Sequence, residues 1–220
     1  MNTAEQTEKD ERYFTALAAA FVRGKIPGLI DYSDVEAIAQ GRSQGLRLHK
    51  FKCQTDLARV KKVLGILQGF APQSLLDIGS GRGTFLWPLL DAFPYLEITA
   101  IDMNPIRVND INAVRAGGFA NLQALEMDAM AIKLDDKSVD IVTALEVLEH
   151  LEKPALAAAE AVRVARKFVV ASVPSKEDDN PEHIQLFDSS SFEKLWMEAG
   201  AKSVRIDYVL NHIIAVVKVF

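Results

Sequence analysis

One run constrains this chain more than any other: Leu75-Leu76-Asp77-Ile78-Gly79-Ser80-Gly81-Arg82-Gly83-Thr84. Three glycines in five residues follow a short apolar run and precede a helical pattern. Glycine reaches positive φ at little steric cost and lets another molecule come close to the backbone. A helix that starts directly afterwards aims its free amides at the same place. The run therefore reads as a strand, a ligand-holding turn and a helix. A dinucleotide fingerprint, G-x-G-x-x-G, would need a third glycine at position 84. Thr84 stands there. The third glycine is Gly83, giving G-x-G-x-G with Asp77 two residues ahead of Gly79.

The rest of the chain supplies the sheet that such a turn requires. Strands are predicted at Ser74–Ile78, Glu97–Ile101, Leu122–Glu126, Val139–Ala144 and Phe168–Val173. Helices are predicted at Thr84–Ala92, Pro105–Gly117, Pro154–Ala165 and Ser190–Ala199. Alternation of this kind implies a parallel sheet with helices on both faces and right-handed crossovers. Val204–Leu210 and Ile213–Phe220 are too close together for a crossover. They are expected to form a hairpin joined at Asn211–His212, which makes one strand antiparallel. Ahead of residue 70 the pattern is helical. Residues 1–12 read as frayed and solvated, Tyr13–Arg23 as a helix closed by Gly24, Asp34–Gln40 as a short helix, and Gln54–Gln68 as a helix stopped by Gly69 and Pro72. The expected fold is α/β: a Rossmann-like, doubly wound, seven-stranded, mostly parallel sheet with a C-terminal antiparallel hairpin. The expected division is an N-terminal helical cap over residues 1–70 and a ligand-binding domain over 71–220.

Composition bears mainly on partners. The 220 residues carry 25 Lys+Arg against 30 Asp+Glu, a net charge of −5, which argues against a general nucleic-acid coat. The charge is unevenly spread. Residues 1–70 hold 11 basic and 8 acidic side chains, and residues 71–220 hold 14 and 22. Arg42, Arg47, Lys50, Lys52, Arg59, Lys61 and Lys62 form a basic cluster broken by one acid, Asp56. The single cysteine, Cys53, excludes an internal disulfide and an all-cysteine zinc site. A polar start without an apolar segment and the lack of an ~18-residue apolar run point to a cytoplasmic protein with no membrane partner.

Two more acids follow strand ends. Asp102 closes the second strand, 19 residues beyond Gly83, where a carboxylate can accept hydrogen bonds from ribose hydroxyls. Pro105 follows closely, so a helix cap is the competing role for Asp102. Asp128 follows the third strand. Together with the glycine run, these positions resemble the class I S-adenosylmethionine-dependent methyltransferases over about residues 70–220. The resemblance implies S-adenosyl-L-methionine as cofactor and a set of residues to hold it. Asp77, Gly79, Ser80, Gly81 and Gly83 would order the loop and the methionine-amino end. Asp102 would take the ribose, Met103 would lie against the adenine, and Asp128 with Ala129 would face the adenine amino group. The segment Glu146-Val147-Leu148-Glu149-His150-Leu151 is similar to that of small-molecule methyltransferases at the same place. A Pro-Gly-Gly turn frequent before strand five is replaced here by Ala165-Arg166-Lys167-Phe168.

Glu146, Glu149 and His150 are spaced to share one helical face at the mouth of the site. His183 follows strand five and can fold over the same crevice. One role is a proton acceptor for the methyl acceptor, with Glu146, His150 and His183 as candidates. Another is a divalent metal held by Glu146, Glu149, His150 and His183, resembling small-RNA 2′-O-methyltransferases. A metal-free pocket is the favoured reading. His49 and His212 have no supporting constellation, and His212 is expected in the hairpin turn.

The leading expectation is methyl transfer by direct displacement to an O, N or C nucleophile of a soluble small molecule. An anionic acceptor is suggested by Gly45–Lys52, which alternates basic and apolar groups like an edge strand or lid. Nucleic acid is not favoured as a partner. The protein is expected as a monomer or homodimer. The alternatives are a metal-assisted RNA 2′-O-methyltransferase, a nicotinamide-dependent oxidoreductase, and a non-catalytic binding subunit.

Overall fold

The computed structural model describes residues 3–51, 56–176 and 179–220. Lys52, Cys53 and the expected helix start at Gln54 lie outside them. The seven strands are β1 (Ser74–Ile78), β2 (Glu97–Asp102), β3 (Leu122–Glu126), β4 (Val139–Leu145), β5 (Ala165–Pro174), β6 (Ser203–Val209) and β7 (His212–Lys218). They form one sheet in the order β3-β2-β1-β4-β5-β7-β6. β1 to β5 pair in parallel, and β7 runs antiparallel to both β5 and β6. The expected doubly wound sheet and terminal hairpin are both present. The direction of strand order reverses between β1 and β4, so a crevice opens beyond their carboxyl ends.

The helices are α1 (Thr3–Lys25), α2 (Asp34–Ser43), α3 (Ala58–Phe70), α4 (Leu86–Ala92), α5 (Pro105–Ala116), α6 (Pro154–Val164) and α7 (Ser189–Glu198). α1 differs from expectation at both ends. It begins at Thr3, because Glu, Gln, Lys and Ala propagate a helix well and a polar sequence alone does not break one. It runs through Gly24 to Lys25, where a glycine is needed inside the helix. A Cβ at Gly24 would meet the Ala113 carbonyl oxygen at 1.9 Å, and one at Gly117 would meet that of Ala20 at 1.9 Å. α1 and α5 therefore touch backbone to backbone.

Two apolar layers sandwich the sheet. α1 to α5 share one cluster with Leu75, Ile98 and Ile141, and α6 and α7 share the other with Leu76, Val142 and Trp196. The alternation Leu75/Leu76 puts one leucine on each face, both fully buried. Each such side chain contributes roughly 1.5–3 kcal/mol. The helical N-terminal segment is thus packed into the same core as the sheet.

Several boundaries move. α4 starts at Leu86 rather than Thr84, since the glycine turn extends to Phe85. β5 starts at Ala165, where the chain leaves α6 directly into the sheet. The β6–β7 turn falls at Leu210 and Asn211, with φ of 31° and 65°. Val209 then pairs with His212, so His212 is the first residue of a strand and not part of the turn. The segment from Gly45 forms no edge strand. Its described end is a single 3-10 turn, His49–Phe51.

Candidate functional site

Asp77 lies at the centre of the crevice, 3% exposed. Parallel register sets it beside Thr143 of β4. Thr143 Oγ1 donates to Asp77 Oδ1 at 2.7 Å and Ser80 Oγ donates to Oδ2 at 2.6 Å. The carboxylate thus clamps the glycine loop to the sheet. Burial pushes its pKa up to about 6, against the lowering effect of both hydroxyls, and the nearby Asp102 charge adds to the rise.

The loop itself bends through positive φ at Gly79 (69°), Gly81 (53°) and Gly83 (83°). At Gly83 the indole of Trp87 leaves no room, since a Cβ would fall 2.1 Å from the ring. The Gly81 amide points to the end of β2, where it donates to Asp102 Oδ2 at 2.9 Å. Asp102 Oδ1 accepts from the Asn104 amide at 2.8 Å. The cap of α5 is Asn104, whose side chain accepts from Ile106. Asp102 is therefore not the helix cap. Each of its oxygens has one bond and retains an acceptor position. Met103 beside it is 64% exposed, an apolar shelf next to a carboxylate. Asp128 is half-buried and its Oδ1 accepts from Met130 N–H at 2.8 Å, which shapes the loop after β3 over a buried Ala129.

Beneath the loop is a cavity of about 170 Å³, bounded by Asp77, Gly81, Phe85, Leu145, Glu146 and Arg59. That is below the size of a typical small-molecule site. Arg59 belongs to the basic cluster seen in the sequence. It is half-buried in the cavity wall, opposite Glu146.

The Glu146–His150 segment does not form one helical face. Glu146 ends β4 in the left-handed region at φ 57°, and only Leu148–His150 form a 3-10 turn. The expected four-residue constellation therefore splits. Glu146 turns towards β5 and β7: Ser172 Oγ donates to Oε1 at 2.7 Å, and His212 Nε2 lies 3.1 Å from Oε2. Burial works to raise the Glu146 pKa, but His212, Ser172 and the Arg59 charge together hold it below the usual range. Glu149, His150 and His183 converge separately, with ligand atoms all within 4.8 Å of one another. The loop bearing His183 is pinned here, since Ile184 and Gln185 amides both donate to the Glu149 carbonyl. Glu149 is 1% exposed, and among the described residues neither carboxylate oxygen has a hydrogen-bond partner. Burial, then repulsion from Glu146, pushes its pKa up to about 8.

Sequence reasoning missed His212 and Arg59. Their partner Glu146 lies 66 and 87 residues away in the chain, so no local spacing could show them.

Residues 76–169 match the family model described as a methyltransferase domain. This segment spans β1 to β5 and includes the glycine loop, Asp102, Asp128 and the Glu146–His150 segment. Over that stretch, 94 of the 220 residues, the chain is similar to the methyltransferase-domain family.

Among curated relatives, the ubiquinone biosynthesis O-methyltransferase of Cupriavidus pinatubonensis is 27% identical over 88 residues, 40% of this chain and 35% of that protein. The malonyl-[acyl-carrier protein] O-methyltransferase of Methylococcus capsulatus is 32% identical over 98 residues, 44% of this chain and 35% of that protein. The match spans about a third of the length of these relatives. A solved S-adenosylmethionine-dependent methyltransferase of Aquifex aeolicus superposes with a TM-score of 0.61 at 22% identity, covering 76% of this chain and 93% of that one. At that identity the likeness is one of fold.

S-adenosylmethionine is the cofactor of this methyltransferase family. The crevice fits it chemically. A buried carboxylate orders a glycine loop whose backbone has open space at Gly81, Asp102 retains free acceptor positions for hydroxyls, and an exposed methionine offers an apolar contact. No helix among the described residues is long and apolar enough to cross a membrane.

Proposed function

We propose that this protein transfers a methyl group from S-adenosylmethionine, by direct displacement, to a nucleophilic atom of a small-molecule acceptor. The observation that carries the reading is the junction of β1 and β2, where the Gly81 amide meets the Asp102 carboxylate above the Asp77-clamped loop. Asp77, Gly79, Ser80, Gly81 and Gly83 hold the methionine end, with Arg59 facing its carboxylate. Asp102 binds the ribose hydroxyls, Met103 covers the adenine, and Asp128 and Ala129 line the adenine edge. Displacement at a sulfonium chiefly requires alignment. Among the acceptors O, N and C, the O-methyltransferase names of the curated relatives support oxygen. The helical segment before residue 70 supplies the acceptor side. Of the proton acceptors considered, Glu146 is the weakest base because both its oxygens are engaged. His150 and His183 are the better placed pair.

Isothermal titration with S-adenosylhomocysteine and with NAD tests this reading. S-adenosylhomocysteine should bind and NAD should not. Asp102→Ala should weaken binding by about tenfold or more, the loss of about 1.4 kcal/mol or more in charge-assisted hydrogen bonds. Binding of NAD alone would overturn it. Binding of S-adenosylhomocysteine with no methylated product across a broad metabolite screen would favour a non-catalytic subunit.

A second reading rests on the unpartnered Glu149 carboxylate. His150 Nδ1 sits 2.9 Å from the Glu182 carbonyl, which can only accept, so that nitrogen carries the hydrogen and Nε2 keeps its lone pair. Glu149, His150 and His183 are thus a donor set for a divalent cation, without Glu146. Such a cation would supply a Lewis acid beside the acceptor. Titration of the protein with Mn²⁺ or Zn²⁺ should show one site that Glu149→Gln removes, and activity surviving thorough chelation would dismiss a catalytic role.

A further inference from the structure

A second cavity, larger than the one under the glycine loop, lies on the N-terminal side of the fold. It measures about 700 Å³ and lies between α1, α2 and the stretch from Leu46 to Phe51. Phe14, Ala18, Ile38, Leu46, Leu48 and Phe51 give it an apolar lining. Arg42, Arg47 and His49 stand on its wall, and among the described residues no aspartate or glutamate does.

The arginines are singled out by how the neighbouring cations are treated. Arg23 pairs with Asp34 at 2.8 Å and donates to the Tyr32 carbonyl. Lys25 pairs with Asp110 at 3.1 Å, and Lys50 bonds the same carboxylate while lying 4.2 Å over the Phe21 ring. Each of these three cations has a protein partner. Among the described residues, the side chains of Arg42 and Arg47, both exposed, show neither a hydrogen bond nor an ion pair. Lys50, expected to face an anionic ligand, turns away from the cavity towards Asp110. Two guanidinium groups thus stand at the edge of the apolar surface without the acidic partners their neighbours have among the described residues. A guanidinium is the group best matched to carboxylate or phosphate oxygens.

The cavity also adjoins the cofactor side. Its Phe51 ring packs at 5.4 Å on Trp87, the indole that fills the space beside Gly83. A single aromatic pair connects its wall to the glycine loop.

We infer that this cavity binds an amphipathic anion, a small molecule whose apolar chain or ring lies on Phe14, Ile38, Leu48 and Phe51 while its carboxylate or phosphate meets Arg42 and Arg47. Its size is that of a typical small-molecule site. That the occupant is the methyl acceptor rests on the methyltransferase reading. The chemistry of the occupant does not.

The test is calorimetric, with decanoate, decyl phosphate and the neutral decanol as probes below their aggregation limits. Decanoate and decyl phosphate should bind at least about tenfold more tightly than decanol, a difference of about 1.4 kcal/mol. Arg42→Gln/Arg47→Gln, two exposed positions that leave the core intact, should bring decanoate to the level of decanol. S-adenosylhomocysteine binding to that variant should stay unchanged. Equal binding of decanoate and decanol, or wild-type decanoate affinity in the double variant, would overturn the inference. So would sedimentation with phosphatidylglycerol vesicles, abolished in the double variant, when monomeric decanoate does not bind. If decanoate binds as expected and S-adenosylhomocysteine does not, the anion site stands and the methyltransferase reading fails.

Discussion

His212 Nε2 lies 3.1 Å from Glu146 Oε2, joining the first residue of β7 to the residue that follows β4, across the strand β5 that separates them. The other ring nitrogen, Nδ1, is 2.8 Å from the Leu210 carbonyl, which only accepts. Both ring nitrogens therefore face acceptors, and the imidazolium form satisfies both. The Glu146 hydrogen bond raises the His212 pKa, against partial burial, and His212 with Ser172 lowers that of Glu146. The pair holds a carboxylate at the wall of the cofactor cavity in a backbone conformation few non-glycine residues adopt.

The pair is expected to stabilise the fold most between the two ordinary pKa values, 4.5 for Glu146 and 6.5 for His212. The lowered Glu146 value means its contribution is present above 4.5 and fades as pH falls through the folded value. The raised His212 value means its contribution is present below 6.5 and fades as pH rises through the folded value. A double-mutant cycle with Glu146→Gln and His212→Ala at pH 5.5 should show a coupling of about 0.5–3 kcal/mol in chemical denaturation. Strict additivity would show that the contact contributes nothing.

Glu149 imposes the opposite pH dependence. Its pKa rises from 4.5 to about 8 on folding, so the protein binds a proton there that the unfolded chain releases. Wild-type stability should fall as pH rises from 4.5 to 8, and Glu149→Gln should flatten that slope. Thermal melts of both proteins at pH 5, 6.5 and 8 read this directly. Parallel melting curves across the range would contradict the neutral buried acid.

Substitutions in the glycine loop should rank by what each Cβ meets. Gly81→Ala meets nothing nearer than 3.8 Å and suffers only its positive φ, about 1–2 kcal/mol. Gly79→Ala adds a 2.6 Å contact with a Val147 methyl. Gly83→Ala drives a methyl into a buried indole that is tied to the Arg82 carbonyl at 3.0 Å and has nowhere to go. Melting temperatures should fall in the order Gly81, Gly79, Gly83, and S-adenosylhomocysteine affinity should be lost entirely at Gly83.

Gly117→Ala should loosen the N-terminal helix from the sheet. The added methyl strikes the Ala20 carbonyl, which is backbone and cannot rotate aside. Overpacking of this kind costs about 1–3 kcal/mol. Amide exchange should rise along α1 before it rises in β1. Uniform exchange through both elements would show that α1 and the sheet open as one unit.

Much of this protein was legible in its order of residues, because the information is local. A strand, a glycine turn and a helix occupy consecutive positions, and the alternation of Leu75 and Leu76 or the Pro105 at a helix start depends on near neighbours. So the sheet, its terminal hairpin, the Asp77 loop and the position of Asp102 were all foreseeable. The acidic–histidine run was visible too, but its geometry was misread. Spacing of i, i+3 and i+4 gives one face only if the residues are helical, and Glu146 sits instead at φ 57° where β4 ends.

What only the tertiary structure decided depends on pairing between distant segments. Antiparallel register against β5 places His212 opposite Pro174, two residues from Ser172, and so delivers it to Glu146. Packing of α3 turns Arg59 inward, and Asp110 claims Lys50, while Arg42 and Arg47 pair with no acid among the described residues. Which charges are neutralised and which remain for a ligand is a property of assembled surfaces. Composition could count those charges, but only the fold could place them.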